Sequence, residues 1–79
     1  MERYYIALYN LGVKNDLLIK LITEYSNNMI KDMFCPNTDI FLNNMELLPY
    51  KETFENKKIV DESLVLADEI IKINNTETI

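Results

Sequence analysis

Gly12 is the only glycine among 79 residues. It lies between two runs that read as helix, Tyr5-Ile6-Ala7-Leu8-Tyr9 before it and Leu17-Leu18-Ile19-Lys20-Leu21-Ile22 after it. Holding a side chain in the left-handed backbone region costs roughly 1–2 kcal/mol, whereas glycine enters it freely. The lone glycine is therefore expected to be the turn of a helical hairpin, near the C′ position of the first helix. The rest of the chain reads as short helices packed around that hairpin. The expected fold is all-α, a small bundle of four to five short helices.

Periodicity places the elements. A first helix is expected over 2–10, with Tyr4, Leu8 and Leu11 on one row and Tyr5 and Tyr9 on a second. A second helix should start from Asn15 as N-cap, with Asp16 in its first turn at the positive end of the dipole. Its inner face would carry Leu17, Leu18, Leu21, Ile22 and Tyr25, and Ser26-Asn27-Asn28 would end it. Asn27 or Asn28 is expected to cap a short third helix through Met29–Phe34, broken by Cys35-Pro36-Asn37. Asn37 or Thr38 would cap a fourth segment containing Ile40, Phe41 and Leu42, loosened at Asn43-Asn44 and closed by Met45-Glu46-Leu47-Leu48, with Pro49 as its stop. Tyr50 and Phe54 are spaced for one further helical turn. A long helix is expected over 58–73, with Val60, Leu64, Ala67 and Ile71 inward and Asp61, Glu62, Asp68, Glu69 and Lys72 in water. Residues 1–73 form one domain, and 74–79 read as a tail or the start of a linker to a following domain.

A chain this short buries only about 60% of its unfolded surface, so its core is thin. The single cysteine, Cys35, has no intramolecular disulfide partner, which favours a reducing, cytoplasmic setting. No signal-peptide pattern is visible, and the apolar runs are far too short to span a bilayer. The net charge of −5 is unevenly spread: residues 1–34 carry four basic and four acidic side chains, whereas 35–79 carry four lysines against nine acids. Nucleic-acid affinity comes mainly from lysine and arginine neutralising phosphates, and no basic stripe exists here.

Catalysis lacks its usual groups. There is no histidine, hence no general base titrating near neutrality and no histidine-containing triad or zinc site. Asp61-Glu62 and Asp68-Glu69 diverge around a helix, Cys35 has no activating partner, and one glycine cannot form a phosphate-cradling loop. No enzyme, cofactor or metal is expected. Tyr4, Tyr5, Tyr9, Tyr25 and Tyr50 would need flanking cations to stack single-stranded bases. They read as packing residues, with Tyr4, Tyr5 and Tyr9 as candidates for a protein contact. The hairpin is the remaining candidate. In a helix-hairpin-helix loop, apolar-Gly-apolar-Gly lets backbone N–H groups meet a phosphate at the start of the second helix. Here Gly12 fills the first glycine position, Val13 is the apolar plug and Lys14 stands where the second glycine would be. Gly12, Val13 and Lys14 thus form a candidate weak phosphate contact, opposed by Asp16.

Those residues carry a family resemblance. Tyr5-Ile6-Ala7-Leu8, the Leu11-Gly12-Val13 turn, the leucine-rich run from Leu17 to Tyr25 and the segment from Asn28 to Phe34 resemble the N-terminal region of the bacterial DNA-processing protein A (DprA/Smf) family. Residues 38–48 and 58–73 fill the places of that family's next short helix and its longer acidic helix. The resemblance implies a SAM-like or helix-hairpin-helix-like appendage beside a Rossmann-like domain that binds single-stranded DNA and helps load a recombinase during natural transformation. On that reading the chain contacts a protein partner or the adjacent Rossmann-like domain, and touches single-stranded DNA at most indirectly. The competing expectations are a free-standing acidic helical regulator that binds a protein partner and direct DNA binding through the hairpin. No membrane partner is expected.

Overall fold

A computed structural model describes residues 3–34, 41 and 44–77. All regular elements among them are helical: α1 (Arg3–Asn10), α2 (Asn15–Glu24), α3 (Asn27–Asp32), a 3-10 helix η1 (Met45–Tyr50), α4 (Lys51–Glu55) and α5 (Lys57–Glu77). The chain is thus a small all-α bundle.

The turn after α1 forms as the lone glycine predicts. Gly12 has φ +92, and no other described residue has a positive φ. The Gly12 N–H donates to the Tyr9 carbonyl at 3.0 Å and the Val13 N–H to that of Leu8 at 3.1 Å. These two bonds are the Schellman arrangement, which satisfies the last carbonyls of a helix. Val13 then plugs the space between α1 and α2, buried in the same cluster as Leu8.

Capping differs in detail from expectation. Lys14, extended at φ −62 and ψ 145, occupies the N-cap of α2 without a side-chain bond, and Asn15 is its first helical residue. Ser26, not Asn27 or Asn28, caps α3: its hydroxyl accepts from the Met29 N–H at 3.4 Å. α3 runs Asn27–Asp32, so both of its ends fall two residues earlier than expected, and Met33 and Phe34 form a turn. The expected break at Cys35-Pro36-Asn37, the cap at Asn37 or Thr38, and Ile40, Leu42 and Asn43 lie outside the described residues.

Pro49 does not stop the chain's helical path. It sits inside η1, which passes directly into α4. The missing proline N–H removes one i→i−3 bond of η1, but the Lys51 N–H still closes on the Leu48 carbonyl, and the path continues into α4. The break comes instead at Asn56, whose side-chain oxygen accepts from the Ile59 N–H at 3.3 Å and whose carbonyl accepts from that of Val60 at 3.0 Å. This side-chain cap starts α5 despite Lys57 and Lys58 in a first turn that disfavours cations. At the other end α5 runs to Glu77, so residues 74–77, expected as tail, extend it by a further turn.

Two buried clusters hold these elements. In the larger, Tyr5, Leu8, Val13, Leu18, Leu21, Ile30, Met33, Phe41, Leu47 and Phe54 pack together. Phe54 is its aromatic hub: its ring lies 5.5 Å from Phe34, 5.7 Å from Phe41 and 5.8 Å from Tyr50. In the smaller, Ile6 and Ala7 meet Ala67, flanked by Leu64, Ile70 and Ile71. α1 packs far more extensively on α5 than on α2. The organising unit is therefore the α1–α5 pair, and the hairpin is its side branch.

Added volume at Gly12 meets no atom within 4 Å, so a substitution there is opposed by backbone strain alone. Gly12→Val should lower unfolding free energy by at least about 1 kcal/mol, and Gly12→Asn, which tolerates positive φ, by clearly less. Urea melts check this: the midpoint should fall with an unchanged slope, and identical midpoints for wild type and Gly12→Val would refute the strain argument.

Candidate protein-contact surface

The hairpin, the tyrosine rows and the helix surfaces supply the candidate sites. At the hairpin, Gly12 and Lys14 are exposed and Val13 is buried. The first bond inside α2 runs from the Leu18 N–H to the Lys14 carbonyl at 2.9 Å, so the N–H groups of residues 15–17 have no acceptor within the helix. A phosphate approaching them would enter a hollow lined by Lys14, Asp16, Leu17, Lys20, Glu46, Pro49 and Tyr50. Its two lysines face two carboxylates, and one pair is closed: Lys20 Nζ lies 3.3 Å from Glu46 Oε1. Lys14 and Asp16 oppose each other in sign at the same helix end, so the hollow carries no net attraction for an anion.

The tyrosines separate by burial. Tyr5 is 5% exposed and its hydroxyl donates to the Tyr25 carbonyl at 2.5 Å. Tyr25 in turn accepts from Asn44 Nδ2 at its own hydroxyl. This chain of bonds ties α1 to the end of α2 and to the entry of η1. Tyr5, a candidate for protein contact in the sequence, is thus a core residue. Tyr4 is half-buried, its ring 6.0 Å from Phe34 and 5.7 Å from the Arg3 guanidinium. Tyr9 alone of the three projects into solvent, 61% exposed.

α1 and α5 run antiparallel. Arg3 Nε meets Asp68 Oδ1 at 2.8 Å near one end, and Asn10 Nδ2 donates to the Ser63 carbonyl at 3.3 Å near the other. One flank of this seam is a cleft of about 650 Å³ whose apolar wall is Tyr4, Phe34, Val60 and Leu64. Two lysines, Lys31 and Lys57, and two acids, Glu55 and Asp61, complete its lining. Phe34 leads directly into residues 35–40, outside the described residues.

The other flank carries Tyr9 on α1, since Tyr4 and Tyr9 lie about 140° apart around a helix at roughly 100° per residue. On α5 it carries a second apolar stripe. Ile59, Leu66 and Ile73 are 40%, 46% and 56% exposed and recur at every seventh residue, which holds them to one line. The expected inner stripe is correct as far as it goes: Val60 and Ala67 are buried and Leu64 and Ile71 half-buried. It omits Ser63, 6% exposed, whose hydroxyl donates to the Val60 carbonyl at 2.7 Å. That internal bond lets a polar residue occupy a core position, and its spacing from Val60 and Ala67 was the available signal. The exposed stripe was readable from its spacing too, but not its exposure. On α2, Ile22 faces water at 43% exposure, not inward.

Asp61, Glu62, Asp68 and Glu69 are all exposed along α5. Cys35 lies outside the described residues. No helix among those described is long and apolar enough to cross a membrane.

The Tyr5 hydroxyl has a structural consequence that Tyr9 lacks. Tyr5→Phe removes a part-buried hydrogen bond and should destabilise the fold by about 1–2 kcal/mol, whereas Tyr9→Phe should leave thermal and urea midpoints unchanged. Equal effects of the two substitutions would contradict the contrast in burial.

The chain matches no family model, no curated protein and no solved structure.

Proposed function

We propose that the chain is a non-catalytic accessory module that works through protein contacts, in the setting of a DNA-processing protein of the DprA/Smf kind. The observation that carries the protein-contact reading is the exposed apolar line Ile59–Leu66–Ile73, edged by carboxylates. Apolar side chains scattered singly over a surface need no explanation, but an ordered row is a feature of contact surfaces. The charge balance points the same way. The cations at the hairpin sit among carboxylates, and α5 bears Asp61, Glu62, Asp68 and Glu69. Such a surface repels the phosphate backbone.

The DNA-processing setting rests on the likeness of residues 5–34 to the DprA/Smf N-terminal pattern. In that setting, single-stranded DNA belongs to a neighbouring Rossmann-like domain, and this module supplies contacts to that domain or to another protein.

Fluorescence anisotropy with a labelled single-stranded oligonucleotide at low salt tests the first part. The expected result is a flat titration, unchanged in Lys14→Glu. A salt-sensitive rise that Lys14→Glu abolishes would replace protein contact with direct DNA binding through the hairpin. The second part is tested by the coding sequence beyond Ile79: continuation into an α/β domain is expected, and an immediate stop codon would favour a free-standing regulator.

A further inference from the structure

We propose that the Ile59–Leu66–Ile73 stripe of α5, together with Tyr9, is the docking face for an amphipathic helix whose apolar row is flanked by lysine or arginine. The inference rests on the protein-contact reading and specifies the chemistry of the partner.

The geometry suits a helix. Ile59 to Ile73 spans roughly 21 Å along α5 at 1.5 Å per residue, about four turns. Ser63 and Ile70 fall between these residues but are taken up by the packing on α1, so the accessible row is one residue in seven, Ile59, Leu66 and Ile73. Tyr9 stands on the same flank of the α1–α5 seam. A third helix laid there would contact α5 along its length and be bounded on one side by the Tyr9 ring. Such apolar anchors at helical spacing are how grooves receive amphipathic helices.

Charge selects among occupants. Glu62 and Glu69 follow Ile59 and Leu66 by three residues and border the stripe on the edge away from α1. Both are exposed. A second copy of this chain is a poor occupant. An antiparallel pairing of two stripes sets Glu62 of one copy against Glu69 of the other. Each copy also carries a net charge of −5. A helix with basic residues beside its apolar row instead brings opposite charges together at both positions, which favours encounter and fixes register.

The test is a titration of the isotopically labelled chain, followed by amide chemical shifts. The probe is a synthetic amphipathic peptide with a leucine row flanked by lysines, and the control is the same peptide flanked by glutamates. The lysine-flanked peptide should shift amides of residues 59–73 and of Tyr9, weaken as salt is raised, and bind at least about tenfold less tightly to Leu66→Ser, since an apolar anchor is lost. Glu62→Lys combined with Glu69→Lys should reverse the preference to the glutamate-flanked peptide. Leu66, Glu62 and Glu69 are exposed, and circular dichroism of the variants should match wild type. Equal response to both peptides, shifts confined to the Tyr4–Phe34 cleft, or no response would each overturn the proposal. So would self-association through the stripe, seen in sedimentation and lost in Leu66→Ser. A silent peptide titration with flat DNA anisotropy overturns this inference alone, whereas DNA binding through the hairpin overturns the protein-contact reading beneath it.

Discussion

The seam between α1 and α5 is the contact on which the rest of the structure depends. Ala7 and Ala67 are both fully buried there, with Ile6 beside them. Small side chains on both helices allow a close approach of their axes. The two elements are far apart in sequence, and closing a long loop costs entropy that rises slowly with its length. α1 offsets that cost by being buried on both sides. Tyr5, Ile6, Ala7 and Leu8 are consecutive and all buried, covering about 300° of the helix surface at roughly 100° per residue. A helix with apolar contacts nearly all round is a central rod and not one arm of a hairpin. Tyr5 and Leu8 serve the larger cluster, and Ile6 and Ala7 serve the seam.

Local signals were legible in the sequence and long-range ones were not. The Gly12 turn, the burial of Leu18 and Leu21 and the inward stripe of α5 follow from spacing and from one residue's freedom at positive φ. Phe54 was visible as an i, i+4 partner of Tyr50, but its place as hub to Phe34 and Phe41 was not, because those residues come from other segments. The dominant partner of α1 was missed for the same reason. Neighbouring helices joined by a short turn suggest each other as partners, and nothing in local periodicity ranks α2 below α5. The general effect of proline predicts a stop at Pro49, yet the 3-10 helix runs through it, because losing one short-range bond there does not break the path into α4. The tyrosines illustrate the limit at the candidate site. Tyr5 and Tyr9 fall on one row, yet Tyr5 meets the Tyr25 carbonyl while Tyr9 meets solvent, a difference that spacing within α1 does not carry.

Electrostatics contributes little to holding the fold together. The Arg3–Asp68 and Lys20–Glu46 pairs are both substantially exposed, where ion pairs are worth a fraction of a kcal/mol to about 1 kcal/mol. The acidic excess of the C-terminal half lies partly along α5, and Lys57 and Lys58 at its N-terminus oppose the helix dipole. The Asn56 cap and the buried inner stripe outweigh that opposition. Helix α5 can therefore carry an exposed acidic surface without needing it for stability.

α5 also bears two apolar stripes. The inner one, through Val60, Ala67 and the hydroxyl-satisfied Ser63, has Ile6, Ala7 and the aromatic cluster to cover it. Ile59, Leu66 and Ile73 have no such cover among the described residues, and an apolar side chain left in water gains little of the transfer energy that burial provides. Val65, 57% exposed and off both stripes, shows that a single exposed apolar residue is ordinary here. Three at seven-residue intervals beside Glu62 and Glu69 form an ordered feature that the fold's own packing does not use. The simplest physical account is a surface whose burial partner is another helix, with the carboxylates setting the sign of that helix's flanks.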